Sequence, residues 1–422
     1  MILWESSSPT GFLSDDQMRQ GMHAALDKMG GRKKILIVPP DITRLHSGAG
    51  PLTRYVYEHD PAAVKAVLPA LGTHAPMTEQ EIVLMFGDLP KTLFHAHAWR
   101  SDCVTLGEIP ADFVKEASQG AVTCSIPVAM NRRIVSPDYD CIFSIGQVVP
   151  HEVAGFAGHT KNLFVGLGGA ENINKSHFLG AVYGMERIMG RAATPVRAVF
   201  DYVAVNFLHN LPIVYALTVM DRDAGGAMRP RGLFIGNDRE CFDRAAALSY
   251  RVNISLVEKP LHRVVVYLDP VEYRSFWLGN KSIYRTRMAM ADNGRLIVLA
   301  PGVEKFGEDR EIDRLIRAFG YHGTPATLAS VDKSENLRNN LSAAAHLIHG
   351  SSEGRFRITY CPGGIAGEEV EKAGFDYEPI NAMLKRYNPE KLSEGYNVLP
   401  DGEELFFISN PAIGLWAWKD RF

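Results

Sequence analysis

Short, largely apolar runs with β-branched residues, each leading into a polar group, restrict the folds open to this chain more than any other feature. Residues 34–38 (KILIV) are such a run, and they end in Pro39-Pro40-Asp41. A strand that is apolar on both sides needs cover on both faces, and a helical pattern stands just before this one, so a parallel sheet is predicted. The helix reads from Ser14, a capping residue, to about Met29, with Met18, Met22, Ala25 and Leu26 on one face. Gly30-Gly31 ends it.

The arrangement recurs. A second run at 66–71 ends in Gly72-Thr73-His74, and Thr78-Glu79-Gln80-Glu81 then fits a capping box ahead of 82–86. A third run, 140–145 (DCIFSI), leads into Gly146 and Pro150-His151. Open α/β sheets place ligands beyond the carboxyl ends of their strands, so Asp41, Arg44, His74 and His151 are expected to converge on one cleft. Residues 153–169 hold Gly155, Gly158, Gly166, Gly168 and Gly169 around His159 and Lys161, which lets backbone approach a ligand closely.

From Lys259 onward the pattern restarts, with strands predicted at 262–268 (HRVVVYL), 294–300 (GRLIVLA) and 356–360 (FRITY), and a helix at 282–292. A chain of 422 residues, 46% of them hydrophobic, is too long for one typical core. The expectation is an α/β class protein with two α/β domains and an active-site cleft between them. The first domain is read as 1–258, the second as 259–387, and 388–422 as a tail that packs back on the body.

The charges are scattered and sum to −3, which gives no electrostatic reason for nucleic acid or a membrane surface as partner. A small molecule is the simpler expectation. The five cysteines are odd in number, far apart and without a Cys-x-x-Cys pair, so neither a disulfide framework nor a thiolate zinc site is indicated. Residues 1–10 lack the features of a signal peptide, and no run reaches the roughly eighteen apolar residues needed to span a bilayer. A cytoplasmic location is expected.

Taken singly, none of the polar groups is diagnostic. A lone histidine is more often a satisfied polar group than a catalyst, Arg44 reads equally as a surface ion pair, and Lys161 as a solvated side chain. Together they are harder to explain by packing, because a glycine-rich loop holds a lysine between two histidines, His151 and His177. Imidazole suits both nickel coordination and proton transfer, a desolvated amine is a nucleophile, and a guanidinium fits a carboxylate through two hydrogen bonds. These are the parts needed to hold a hydroxy acid and deprotonate it.

In order and spacing, the strings PPDITR (39–44), ALGTHAPMTEQE (70–81) and PHEVAGFAGHTKN (150–162), with the later His177, resemble the nickel-dependent lactate racemase family. The resemblance covers most of the chain to about residue 260 and the remainder more loosely. It implies an isomerase, a racemase or epimerase acting on a 2-hydroxy acid or sugar acid. It also implies a nickel-pincer nucleotide, a pyridinium mononucleotide with two sulfur-bearing arms that is joined to Lys161 and supplied by cofactor-synthesis proteins. By the same resemblance His177 is the nickel ligand and His74 and His151 are the paired acid/base residues. Asp41 and Thr43 belong to the cofactor side, and Arg44 to the substrate carboxylate.

Two departures bear on the substrate. Where the family usually carries Gly-Gly-Arg-Lys, this chain has Gly158-His159-Thr160-Lys161, which sets an extra imidazole beside the tether. The stretch 283–288 (IYRTRM) resembles one that ends in a substrate-binding lysine, and here that position is Met288. Tyr284 and Arg285 are then implied as substrate contacts, with Arg287 the other source of charge. His159, Arg285 and Trp277 would serve a longer or more hydroxylated acid, and Trp277 reads equally as core.

Three other readings compete. A zinc hydrolase could use His74, His151 and His177, but it lacks a compact ligand pair and leaves Lys161 idle. A nicotinamide dehydrogenase would need Gly-x-Gly-x-x-Gly after the first strand, where Pro-Pro-Asp stands instead. A hydroxy-acid-binding protein without turnover would bind ligand and exchange no stereoisomers.

Overall fold

A computed structural model describes all 422 residues, which divide into two compact units. Unit 1 comprises Met1–Leu179 with Arg187–Asn253, and unit 2 comprises Gly180–Glu186 with Ile254–Phe422. Both are mixed α/β structures.

Unit 1 carries strands β1 (Ile2–Ser7), β2 (Ile35–Val38), β3 (Val64–Val67), β4 (Cys103–Ile109), β5 (Ile126–Asn131), β6 (Cys141–Gln147), β7 (Pro150–His151), β8 (Gly155–Phe156), β9 (Ile213–Arg222) and β10 (Met228–Gly236). Its main sheet has the order β1-β10-β9-β6-β2-β3. The four strands β9, β6, β2 and β3 run parallel, as the buried apolar runs predict, while β10 and β1 pair antiparallel at the other end. Every residue of β2 and β6 is buried. The second expected strand stops at Val67 because Pro69 has no N–H to donate, although Leu68 and Ala70 still donate to Ile37 and Pro39.

The helices that cover this sheet begin where local chemistry says they should. Ser14 caps α1 (Asp15–Lys28) with a full capping box through Gln17, burying Met18, Met22, Ala25 and Leu26. These pack with α2 (Ala49–His59) and α3 (Glu79–Phe86) over Ile37, Phe143 and Ile145. Thr78 and Glu81 form the second capping box at the start of α3. The chain passes from β2 to β3 on one side and returns to β6 on the other, so the strand order reverses between β2 and β6 while the strands stay parallel. A crevice beyond the carboxyl ends of β2 and β6 follows from that reversal.

After α4 (Ala111–Ala117) the glycine-rich segment forms α5 (Thr160–Phe164), followed by α6 (Ala170–Tyr183), α7 (Pro195–Asn206) and α8 (Arg239–Asn253). No helix is long and apolar enough to cross a membrane.

Unit 2 holds β11 (Ile254–Val257), β12 (Leu261–Tyr267), β13 (Met290–Ala300), β14 (Arg357–Pro362), β15 (Asp376–Tyr377), β16 (Gly395–Val398), β17 (Glu404–Ile408) and β18 (Leu415–Trp418). Its sheet runs β15-β14-β13-β12-β17-β16, parallel except for β16 at one edge. Residues 388–422, read from sequence as a tail, supply two strands of this sheet and a third that pairs with β11. The run Leu405-Phe406-Phe407-Ile408 is what makes β17 a buried strand. The helix expected over 282–292 is confined to Lys281–Thr286, because the backbone joins the sheet from Met290.

Candidate active site

The crevice of unit 1 is closed by one side chain. Asn162, on α5, donates to the carbonyl of Val38 at 3.2 Å and to that of Ile145 at 2.9 Å, tying the glycine loop to the ends of β2 and β6. Gly158, at φ +84°, lies under it, and a Cβ there would stand 3.0 Å from the Gln147 carbonyl oxygen. Only glycine takes this backbone conformation at that spacing without strain. Arg197, fully buried on α7, donates to the carbonyls of Phe156 at 2.6 Å and Gly158 at 3.4 Å. A further tie, Gly72 N–H to Gly166 carbonyl at 2.8 Å, fixes the His74 turn against the same loop.

Where these elements meet, a cavity of about 40 Å³ is lined by Pro40, Arg44, Gln147, Gly158, Lys161 and Asn162. It is large enough for one or two waters and marks where the amine and guanidinium open. Burial, with Arg44 and Arg197 adding to it, pushes the Lys161 amine down to about 8, against the opposing pull of Glu152 and Asp41. An amine so placed is partly neutral near physiological pH and able to act as a nucleophile.

Asp41 caps the turn Ile42–Ser47 by accepting from Thr43 N–H at 3.2 Å and from the Thr43 hydroxyl at 2.5 Å. Its other oxygen accepts from Nδ1 of His74 at 2.7 Å. Burial alone would raise the Asp41 pKa, but hydrogen bonding and attraction from His74, with Thr43 and Arg44 adding, hold it below the ordinary carboxylate value. Thr43 therefore supports the Asp41 carboxylate, and its own side chain is on the surface.

His151 is buried, and its Nδ1 accepts from the backbone N–H groups of Val153 at 3.1 Å and Ala154 at 3.4 Å. Burial drives its pKa well below the usual imidazole range; Lys161, Arg44 and His177 push the same way, and Glu152 opposes them. His177, on α6, donates from Nδ1 to the Ile173 carbonyl at 2.7 Å, which leaves the Nε2 lone pair free. Burial and the Lys161 charge lower it to about 4, so the ring is neutral near pH 7. Asp41, Arg44, His151, Lys161 and His177 thus form one electrostatically linked cluster, with His74 joined through Asp41.

Other expected residues lie elsewhere. The His159 ring does not stand beside the amine. It is buried, stacks on Tyr215 with centroids 3.8 Å apart, and hydrogen-bonds the Asp238 carbonyl through Nε2 at 3.2 Å. His159 takes φ +58° as the N-cap of α5, and its ring packs on Tyr215 of β9. Tyr284 and Arg285 are on α10, the helix Lys281–Thr286 of unit 2 that follows α9 (Phe276–Gly279). Arg285 is buried there and reaches the carbonyls of Ala412 and Gly414 at 3.4 Å each. Met288 is buried core. Trp277 stacks on His346 at 4.2 Å with the rings nearly parallel, so its packing partner is an imidazole of its own unit.

Four residues of the cluster escaped the reading by sequence: Gln147, Glu152, Asn162 and Arg197. Asn162 and Glu152 lie within the 150–162 string and carry no spacing signal of their own. Arg197 looks from sequence like any solvated helix arginine, and only its burial reveals its role.

The model of the family described as lactate racemase N-terminal domain matches residues 21–188, a segment that contains Asp41, Arg44, His74, His151, Lys161 and His177. Among solved structures, the chain is similar to the crystal structure of a protein from Thermotoga maritima, with 24% identity, a TM-score of 0.80 and coverage of 98% of this chain and 100% of that one. It is also similar to the lactate racemase apoprotein from Thermoanaerobacterium thermosaccharolyticum, with 15% identity, a TM-score of 0.72 and coverage of 96% and 93%. No protein of curated function matches the sequence. At these identities the two structural likenesses establish the fold.

Proposed function

We infer, from a chain whose residues 21–188 carry a lactate racemase N-terminal domain, that it is a racemase or epimerase inverting a hydroxyl-bearing carbon of a 2-hydroxy acid or sugar acid. The observation that carries this reading is the pairing of an amine pushed to about 8 with a neutral imidazole whose Nε2 lone pair is held ready. Lys161 is the residue that would hold a nickel-pincer nucleotide, and His177 the one that would hold its metal. Bound there, the group would supply a hydride acceptor and the remaining donors to nickel.

The donor chemistry of the site fits such a group. No three His, Cys, Asp or Glu side chains are grouped to hold an ion by themselves. A zinc hydrolase therefore lacks its ligand set, whereas a metal that brings most of its own donors needs only one imidazole.

The chain's own residues would divide the remaining work. Arg44 offers a guanidinium to the substrate carboxylate at the cavity mouth, a geometry suited to paired hydrogen bonds. Asp41 orients His74 through the hydrogen bond to its Nδ1, as a carboxylate beside a general base does. His151 faces the cluster from its backbone cradle. Glycines and Asn162 hold the loop so that the amine meets the cavity.

The test is to load the protein in cells that make the cofactor and incubate it with a panel of 2-hydroxy acids and aldonic acids, scoring inversion by chiral chromatography. Exchange of stereoisomers for at least one acid is expected. Tight ligand binding with no exchange across the panel would instead favour a binding protein.

A further inference from the structure

The two histidines assigned to the hydroxyl are held in opposite tautomers, and this carries further than a symmetrical pair of bases. We infer that His74 alone takes and returns the hydroxyl proton, while His151 serves as a neutral imidazole that holds the same oxygen by a hydrogen bond from Nε2–H. The inference rests on the reading above, that a hydroxy acid reacts beside Lys161.

At His74 the partner of Nδ1 is a carboxylate oxygen 2.7 Å away. A carboxylate only accepts, so Nδ1 carries the proton and Nε2 is left with a lone pair. That nitrogen is a base, and the imidazolium formed when it accepts a proton is paired with a buried anion. The His74 side chain is also 45% exposed, while its partner Asp41 is buried.

At His151 the partners of Nδ1 are two backbone donors, Val153 N–H and Ala154 N–H. Both only donate, so Nδ1 must keep its lone pair and the proton of the neutral ring sits on Nε2. Protonating the ring would set an Nδ1–H against two other N–H groups. Giving up the Nε2 proton would leave an imidazolate. The nearest carboxylate, Glu152, stands 4.0 Å from Nδ1, too far to accept a hydrogen bond from it. In this cradle the ring lends a hydrogen bond and exchanges no proton, a role open to a neutral imidazole facing a developing carbonyl.

The balance of the step follows. The hydroxyl proton would pass to Nε2 of His74, and a pyridinium-class group held at Lys161 would supply the hydride acceptor, so that the alcohol becomes a ketone with its proton and hydride both accounted for. The return uses the same proton and the same hydride. Inversion then requires the planar ketone to turn about its C–O axis, so that its oxygen keeps both imidazoles while the other face meets the hydride.

Long-range proton–nitrogen correlation on the full chain, labelled with ¹⁵N-histidine and free of cofactor, reads the tautomers directly. Spectra of His74→Gln and His151→Gln assign the two rings. The expected result is a protonated Nε2 with bare Nδ1 at His151 and the reverse at His74; a bare Nε2 at His151 would overturn the inference. In the loaded protein, His151→Ala is expected to lose about 10²-fold in turnover, the usual worth of one donor to a developing oxyanion. His151→Gln, which keeps a donor, should recover most of that loss, while His74→Gln and His74→Ala lose alike. Equal losses for Gln and Ala at 151 would also overturn it. If no acid is turned over, the functional reading falls, and the nitrogen shifts still decide the assignment of the two rings.

Discussion

Lys161 sits where burial, Arg44 and Arg197 oppose a positive charge while Glu152 and Asp41 favour it, and the balance leaves the amine at about 8. Near pH 7 about one tenth of it is neutral, against a few parts in ten thousand, roughly, for an ordinary lysine. An amine-reactive reagent at pH 7 should therefore label Lys161 well ahead of the other lysines, read by peptide mass mapping, with the preference fading as pH rises past 10. Because the folded pKa is depressed, the unfolded chain binds more protons between about 8 and 10.5, and this group makes stability rise with pH across that window. Asp41 acts with the same sign in a lower pH window. Its depressed carboxyl contributes stability that is present above the ordinary carboxylate value and is lost as pH falls through the folded value. Asp41→Asn removes the acceptor that fixes the His74 tautomer, so turnover should fall on the order of 10² to 10⁴-fold with covalent loading intact by mass.

Among the elements, the glycine loop and α5 carry most of the geometry. Gly158→Ala combines a left-handed backbone with a Cβ 3.0 Å from the Gln147 carbonyl, and should destabilise by about 1 to 3 kcal/mol in thermal unfolding. Gly30→Ala is the control, since Gly30 has a comparable φ of +68° and nothing within 4 Å. It should cost about 1 kcal/mol, the left-handed backbone penalty without the crowding. Equal losses at the two positions would show that crowding at Gly158 is not what fixes the loop. Elements of this kind were legible wherever local chemistry decides: the Ser14 cap, the Thr78 capping box, the buried runs that became β2, β6, β12 and β14, and the loop itself. The strands β1, β9 and β10 were missed: β1 has one buried residue and pairs with the distant β10, β10 begins with residues 228–231, none of them buried, and β9, buried over 213–220, carried a local signal that was not read. The side-chain direction at His159 was illegible for a related reason. It depends on a positive φ and on Tyr215, a residue 56 positions away whose packing no local pattern records.

For the whole molecule, the sequence supports two α/β units, and the structure divides them after Asn253 while grouping Gly180–Glu186 with the second. A linear reading has no means of seeing the second fact, because it arises from contacts such as Ala181 with Ala345 and Ile348. The first unit holds the cluster on which the functional proposal stands, and the matched family segment lies across it. Substrate preference is the property least written in the sequence, because Met288, a departure from the family pattern, and Arg285, the expected source of charge beside it, are both buried in the second unit. The proposed function requires the Lys161 amine to be the covalent tether of a nickel-bearing nucleotide. Intact-protein mass spectrometry, on chain purified from cells that load a lactate racemase in parallel, tests it most directly. A mass increment on the native chain that disappears in Lys161→Ala is the result predicted; a native chain at its unmodified mass, or an increment that survives the substitution, would contradict it.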